Sequence, residues 1–549
     1  MALNNLFIFD SLSKLVGFFV ILFSILVAIY SAGFIKSRKI TYYTWFFLTT
    51  IASLGVVFSD NIILIAVFWG FLGLSLFKLI NLYDDENASN IAKKTFIIIG
   101  ATDGFLLFGF LLYSFLTSST NNFLTLSTSL TANTLIINNN LSFVSFIFIA
   151  IACFAKAGCM PMHTWIPETA KCAPLPVVAY LPASLDKLLG IYLLVRIVKN
   201  SFFLDTTAKF TLIIAGAATV IFAVMMALIQ HDIKKLLGYH AISQVGYMVL
   251  GLGCATPIGI AAGLFHMINH AIYKCCLFLG AGNVENQTGT TRLHDLGGLA
   301  RFMPVTFVTF LIAAFSISGI PPLNGFVSKW MIYQALSEFM NSLGSYPLKI
   351  IVALALLSAL IGSGLTLASF LKVISSVFLG NARKRAKESN FLLLLPVIIL
   401  AFLCIIFGVF AYSTILKVIE EAIGSFNMVG LWQPVGATAL MALSIIIGLI
   451  VFKFSSKNLR ISPTYTGGEE LNPHEEAKIE DFYTTISDIP FLKKTYALAE
   501  GKVFDIYEQL KRITFVLSNL LKRLHNGVLP TYLIWCLLGM MGLFFVFFK

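Results

Sequence analysis

Apolar stretches of about 20 residues, the length a helix needs to cross a bilayer, follow one another along nearly the whole chain. About 14 such stretches stand out at that window length. They lie near residues 12–35, 41–59, 61–82, 95–117, 140–161, 174–198, 210–230, 236–254, 258–283, 302–338, 349–379, 393–413, 431–453 and 530–548. Unpaired backbone groups are costly in lipid, so each stretch predicts a helix and the chain an all-α polytopic membrane protein. The first stretch has neither a basic lead-in nor a small-residue cleavage site, and reads as a retained helix. Composition agrees: of 549 residues 58% are hydrophobic and 12% charged. That is too few charged groups to clothe a soluble domain of this length.

Two of the predicted helices are interrupted. "KAGCMPMHTWIP" (Lys156 to Pro167) and "SGIPPLNGFVSKW" (Ser318 to Trp330) place Pro and Gly inside apolar runs. A broken helix exposes backbone groups, so it must line a protein-buried or wet cavity, as in transporters built from repeated halves. Each break has a lysine beside it, Lys156 and Lys329, which hints at an internal repeat. The loop from Thr117 to Asn140 is rich in Ser, Thr and Asn and carries no charge. Residues 455–529 are far more polar. There Val503, Ile506, Leu510, Ile513, Leu517, Leu520 and Leu524 recur every three or four positions among Lys, Arg and Glu. That period predicts an amphipathic helix on the membrane face or on a partner. A soluble cap helix is the alternative. Thirty-five residues of helix would reach roughly 50 Å.

The net charge of +12 follows topology. Lys36, Arg38, Lys39, Lys93, Lys94, Lys171, Lys234, Lys235, Arg292, Arg301 and the basic cluster at 383–387 fall in one set of alternate loops. The other set holds Lys199, Lys209, Lys349 and Lys417. The positive-inside rule puts the first set in the cytoplasm and both termini outside, so the charge does not imply nucleic-acid binding. The 8 cysteines form no CxxC pair and read as small packing residues. No phosphate-cradling glycine motif stands in a strand–helix context. No cofactor and no metal is expected in this chain.

Ionisable groups inside membrane helices cost at least a few kcal/mol and are functional candidates by default. Asp103, Lys156, Asp186, Lys187, His240, His266, His270, Lys274 and Lys329 all fall in predicted spans, and Lys234 borders one. In "FHMINHAIYKCC", His266, His270 and Lys274 recur every four residues, so they share one stripe of a helix. Histidine titrates near neutral pH, which suits a proton relay. A structural polar core and a metal site are the other readings. Met267 stands where a zinc protease would have its glutamate, and the Lys274 ammonium would repel a cation. Asp186 beside Lys187 reads as a candidate neutralising pair, and Lys187 and Lys234 could also reach an interface by snorkelling.

The runs "HDIKKLLGYHAISQVGYMVLGLG", "LFHMINHAIYKCCLFLGAGNV", "GIPPLNGFVSKWMIY" and "AKAGCMPMHTWIPETAKCAPLPVVAYLPASLDKLLGIYLLVR" resemble the hallmark segments of the proton-translocating antiporter-like subunits. These occur in complex I, Mrp antiporters and membrane-bound hydrogenases. The similarity spans roughly residues 12–453 and the last helix, and starts after the first two helices of the longest relatives. It implies two inverted repeats with broken helices, laid out as N-terminal helices at 1–60, antiporter-like halves at 61–205 and 206–345, and added helices at 346–454. An inner segment with a lateral helix (455–529) and a final helix (530–549) would follow.

By position, the resemblance makes Lys156 the first-half lysine, Lys329 the terminal lysine and Lys234 the middle one. His266, His270 and Lys274 become the connecting stripe, and Asp103 a family aspartate. Asp186, Lys187 and His240 remain further candidates. The resemblance implies an ion-translocating subunit, moving H⁺ or else Na⁺, of a redox-driven complex in a bacterial or archaeal cytoplasmic membrane. Its neighbours would be other membrane subunits, touched partly through residues 490–529. A non-pumping scaffold, an Mrp-type antiporter subunit and an inorganic-carbon uptake subunit are the alternatives. The family's glutamate before Lys156 is replaced by Gly70, its arginine by Gly100 and a histidine by Pro182. With Gly70 there, Asp103 becomes the first candidate partner for Lys156.

Overall fold

The computed structural model describes residues 6–118, 129–131, 133–428, 433–455, 483, 488–525 and 527–547. The predicted polar stretch "TYTGGEELNPHEEAKIEDF" lies outside the described residues, as does part of the uncharged 117–140 loop. The chain divides into two units, 1–488 and 489–549.

The first unit is a helical array. Its helices are α1 (Ser11–Phe34), α2 (Lys39–Phe58), α3 (Ile62–Ile80), α4 (Glu86–Thr117), α5 (Asn140–Ala157), α6 (Trp165–Cys172), α7 (Leu175–Tyr180) and α8 (Asp186–Arg196). They continue as α9 (Thr206–Leu228), α10 (Ile233–Cys254), α11 (Pro257–Thr288), α12 (Pro304–Ser318), α13 (Asn324–Ser342), α14 (Tyr346–Phe378), α15 (Phe391–Val409), α16 (Ile415–Ile423) and α17 (Pro434–Ser455). Two π-helical turns, Leu181–Leu185 and Ile197–Ser201, flank α8 and join it to α7 in one continuous span. The only strands among the described residues are β1 (Leu135–Ile136) and β2 (Phe202–Phe203), a short parallel pair.

Ten helices of the described residues are long and apolar enough to cross a membrane. The remaining predicted spans fall on α10, α11, the α12–α13 pair and α17. Helices α10 and α11 carry the polar groups that make them functional candidates, α12 is cut short by the break, and α13 carries Lys329, Gln334 and Glu338. Helix starts follow capping chemistry. Asp10, Asn61, Asp85, Asn139, Asp205, Asp232, Thr256 and Asn390 each accept a hydrogen bond from a first-turn amide. Each such bond satisfies a donor that lipid could not.

Helix α11 is the central element, buried along almost its entire length from Ile258 to Val284. Tyr30 of α1 ties to it by donating to the Leu279 carbonyl at 2.9 Å and to Asn283 Oδ1 at 3.1 Å. Helices α9 and α10 touch backbone to backbone: a Cβ on Gly246 would lie 2.6 Å from the Gly216 carbonyl oxygen, so only glycine fits.

The second unit holds α18 (Pro490–Glu500), α19 (Ile506–Leu524) and α20 (Leu529–Phe547). The predicted amphipathic helix is therefore two helices. Helix α18 ends at Gly501, and Lys502 takes a left-handed φ of 58°. Asp505 then caps α19 by accepting from the Tyr507 amide. With 19 residues, α19 is about 28 Å long at the helical rise, shorter than the reach expected from the sequence.

Candidate functional site

The two breaks share one backbone design. Helix α5 ends on Gly158 (φ 85°) and α12 on Gly319 (φ 81°), a left-handed conformation that favours glycine. Cis peptide bonds follow at Met160–Pro161 and Pro321–Pro322, so each glycine is followed at the same interval by a cis proline. The lysines do not keep that register. Lys156 comes two residues before its glycine, and Lys329 ten residues after.

The space around the glycines shows which amine takes the equivalent place. A Cβ on Gly319 would lie 3.0 Å from Lys329 Cδ, and one on Gly158 would lie 3.1 Å from Lys187 Nζ. Lys187, from α8, thus stands in the first half where Lys329 stands in the second. It is fully buried, faces the Trp165 ring at 5.7 Å, and its Nζ has no hydrogen-bond partner among the described residues. It does not snorkel.

Lys156 sits at the end of α5, fully buried. Its Nζ lies 3.7 Å from Asp186 Oδ1 and 5.5 Å from the Trp69 ring centroid. Neither Lys156 Nζ nor either Asp186 oxygen has a hydrogen-bond partner among the described residues. The acid at ion-pair distance is thus Asp186, on α8, and not Asp103. Asp103, on α4, is within electrostatic range of Lys156 and also meets the Trp69 side chain, with one buried oxygen unpartnered. A Cβ at Gly70 or Gly100 would meet nothing within 4 Å, so a side chain at either position would enter open space.

Around Lys329 the partners are neutral. Its Nζ donates to the carbonyl oxygens of Ile317 (2.9 Å) and Ser318 (3.4 Å) and to Ser363 Oγ (2.9 Å). Tyr247 presents its ring 4.7 Å from the amine, and Tyr333 reaches Ser363 at 2.9 Å. His266 Nδ1 lies 2.9 Å from Ser328 Oγ, one residue before Lys329, and its Nε2 lies 3.5 Å from the Tyr273 hydroxyl. The Asn269 amide donates to the Asn324 carbonyl and the Asn324 amide to Asn269 Oδ1, both at 3.0 Å, which fastens α11 to the start of α13.

Between the two lysines runs the α11 stripe. His266, His270 and Lys274 are each completely buried. His270 has no hydrogen-bond partner at either nitrogen among the described residues, and it lies within electrostatic range of Lys187, Lys274 and His266. Lys274 Nζ donates to the Leu237 carbonyl at 2.8 Å. His240 Nε2 is 2.8 Å from Ser369 Oγ, and the ring is within range of Lys274, Lys329 and Lys372. The file therefore runs Lys156–Asp186–Lys187–His270, and from His270 it reaches Lys329 both through His266 and through Lys274 and His240. Lys234 stands at its edge, paired with Glu285 at 2.8 Å, and Lys94 pairs with Glu168 at 3.0 Å.

The apolar pattern does not single out Ser363, Tyr247, Tyr273, Ser328 or Glu285, whose hydroxyls and carboxylate are unremarkable until the helices meet. Two further residues do leave a signal in the sequence: Lys372, 1% exposed on α14, and Arg196, 2% exposed on α8. Both are basic residues inside apolar runs, the same signal that draws attention to Lys156.

Two broken helices around a buried file of ionisable groups define a class of polytopic membrane proteins. Residues 59–358 match the family described as NADH:quinone oxidoreductase/Mrp antiporter, TM, and the chain belongs to that family. It is 33% identical over 435 residues to Na(+)/H(+) antiporter subunit A1 of Staphylococcus haemolyticus, covering 75% of this chain and 53% of the relative. Subunit A1 of Staphylococcus saprophyticus is 29% identical over 499 residues, covering 84% and 61%. The chain thus spans about half the length of the first of these relatives and under two thirds of the second.

Among solved structures, a chain of the archaeal membrane-bound sulfane sulfur reductase superposes with a TM-score of 0.79 at 21% identity, over 97% of this chain and 88% of that one. A chain of the Mrp complex from a Dietzia species gives 0.68 at 22% identity, over 76% and 84%. A chain of respiratory complex I from Thermus thermophilus gives 0.62 at 21%, over 75% and 87%. The fold is therefore the antiporter-like one, in a multi-pass integral membrane protein.

Proposed function

We propose that this chain is a proton-translocating membrane subunit of a multisubunit complex, driven by chemistry carried out on its neighbours and holding no redox group or metal of its own. The observation that carries this reading is the buried file from Lys156 to Lys329. Burying an unpaired charge costs several kcal/mol, so a file with several lysines and one paired acid cannot hold all its amines protonated at once. Partly loaded amines and imidazoles next to one another are what stepwise proton transfer needs. The nitrogens of Lys156, Lys187 and His270, unpartnered among the described residues, leave sites that bridging water can complete.

The ordered Lys329 site is the terminal acceptor. The native complex, purified through a tag on this chain and reconstituted in liposomes with a pH-sensitive dye, tests this. Lys329→Ala should abolish proton movement while assembly persists. Unchanged proton movement would overturn the assignment. The complexes in which the structural neighbours were solved support partners among other membrane subunits, with the amphipathic α19 as a contact for one of them. A second reading, cation/proton antiport, is favoured by the naming of the Staphylococcus relatives. Dependence of proton movement on added Na⁺ in the same liposomes separates it from redox-driven translocation.

A further inference from the structure

Lys372 is a fully buried amine that the file from Lys156 to Lys329 does not use. Its Nζ donates to the carbonyl oxygens of Leu228 and Gln230, both at 2.7 Å, at the turn that ends α9. That turn borders Lys234 and Lys235, so Lys372 stands at the face of the basic loops. One helical turn before it on α14 is Ser369. The Ser369 hydroxyl lies 2.8 Å from His240 Nε2. On the other side of Lys372 the Tyr483 ring centroid lies 4.1 Å from the amine, and the Tyr483 hydroxyl is 3.3 Å from His231 Nε2. Titratable groups therefore flank Lys372 on both sides, His231 and Tyr483 toward the basic loops and His240 toward the file.

The first half supplies a natural control. Counting outward from the two breaks pairs α2 with α9 and α8 with α14. Arg196 of α8 occupies the matching place: its Nε donates to Tyr192 Oη at 2.9 Å, and Tyr192 donates to the Val57 carbonyl at the end of α2. In the second half the buried lysine binds the end of the corresponding helix directly, and in the first half Arg196 reaches it through Tyr192. The two sites fall on opposite sets of loops, Arg196 beside that of Lys199 and Lys372 beside that of Lys234, as inverted repeats require. Arginine keeps its proton, whereas lysine can release one. Arg196 is moreover locked to Asp10, with Nη2 2.6 Å from Oδ1.

Resting on the function proposed above, we infer that Lys372 is a proton-transfer residue, the port through which the second half exchanges protons with the face of the basic loops. A proton delivered to the neutral amine makes an ammonium held by the Leu228 and Gln230 carbonyls. Onward transfer breaks one Nζ–H bond and makes one N–H bond at His240 Nε2, with bridging water closing the span from Nζ and the Ser369 hydroxyl, 2.8 Å from that nitrogen, as the last donor. Only N–H and O–H bonds are made and broken.

The test compares Lys372→Met, Lys372→Arg and Lys329→Ala in the reconstituted native complex. Arginine preserves the charge and the bonds to both carbonyls but cannot titrate. The expected result is an intact complex whose proton movement falls at least tenfold in both Lys372 variants. Proton movement above half the wild-type rate in Lys372→Arg would show that the lysine only fastens α9, and would overturn the inference. Failure of both variants to assemble would overturn it likewise. Lys329→Ala keeps the two questions apart. If it is silent, the conduit itself is misassigned; if it abolishes transport while Lys372→Arg transports, only the port fails.

Discussion

The two halves share the glycine-terminated break and the cis proline, yet they satisfy their lysines by opposite means. In the second half Lys329 is held by two carbonyls and a hydroxyl, with no acid in contact among the described residues. In the first half Lys156 faces an acid, Asp186, without a direct hydrogen bond, and Lys187 rests unpartnered at the helix end. One half is a filled coordination shell and the other an under-bonded triad. Conserving a backbone scaffold therefore does not conserve its electrostatics. With Gly70 on α3, the acid that faces Lys156 is on α8.

The largest effect should come from the amines at the glycines. Lys329→Ala is expected to lower proton movement by about 100-fold or more, with Lys187→Ala within about tenfold of it. If Lys187→Ala were silent while Lys156→Ala abolished transport, the correspondence between Lys187 and Lys329 would be wrong. Next in size is Asp186→Asn, which strands the Lys156 amine in the interior. It should destabilise the protein by about 3–5 kcal/mol, seen as a lower melting temperature in detergent. Adding Lys156→Met should return most of that loss, and the absence of recovery would separate the two residues energetically.

A smaller effect concerns the Arg196 clamp. Burial raises the Asp10 carboxyl, but the Arg196 guanidinium and the Ser13 amide outweigh it and bring its pKa from 3.8 down to about 2. A lowered folded-state value means the clamp contributes fully above the ordinary carboxyl value and is lost as pH falls toward the folded one. Asp10→Asn should cost roughly 1–2 kcal/mol at neutral pH, a modest figure because the carboxylate is partly exposed. It should also flatten the acid limb of the stability profile. The smallest effect is Gly70→Glu. Its Cβ would meet open space. In the otherwise native protein the substitution should change proton movement by less than about twofold. It should also partly restore transport in Asp186→Asn. No rescue would mean that an acid on α3 cannot serve Lys156 in this protein.

Much of this is legible in the chain. Hydropathy locates the helices, and Pro and Gly locate both breaks. What misleads is adjacency. Asp186 and Lys187 are neighbours in sequence, but consecutive residues on a helix point about 100° apart, so the acid turns to Lys156 and the amine to Gly158. The same limit hides the correspondence of the lysines, because Lys156 and Lys329 lie on opposite sides of their breaks. Lys372 and Arg196 stay unread because their meaning lies in the carbonyls and carboxylate they meet, at Leu228 and at Asp10, far away along the chain. The apolar period overstates the lateral helix because nothing in it reveals that Lys502 turns left-handed.

The carbonyls that hold Lys329 are the last ones of α12, and that gives the break a second meaning. The aligned peptide dipoles of a helix place about half a negative charge at its C-terminus. Ending α12 inside the protein delivers that half-charge to the amine as part of the backbone. Unlike a carboxylate, it cannot be protonated, cannot swing to another rotamer, and cannot be removed by a side-chain substitution. The second half thus has a counter-charge of fixed size and position, and every change in the load on Lys329 must be answered by its titrating neighbours.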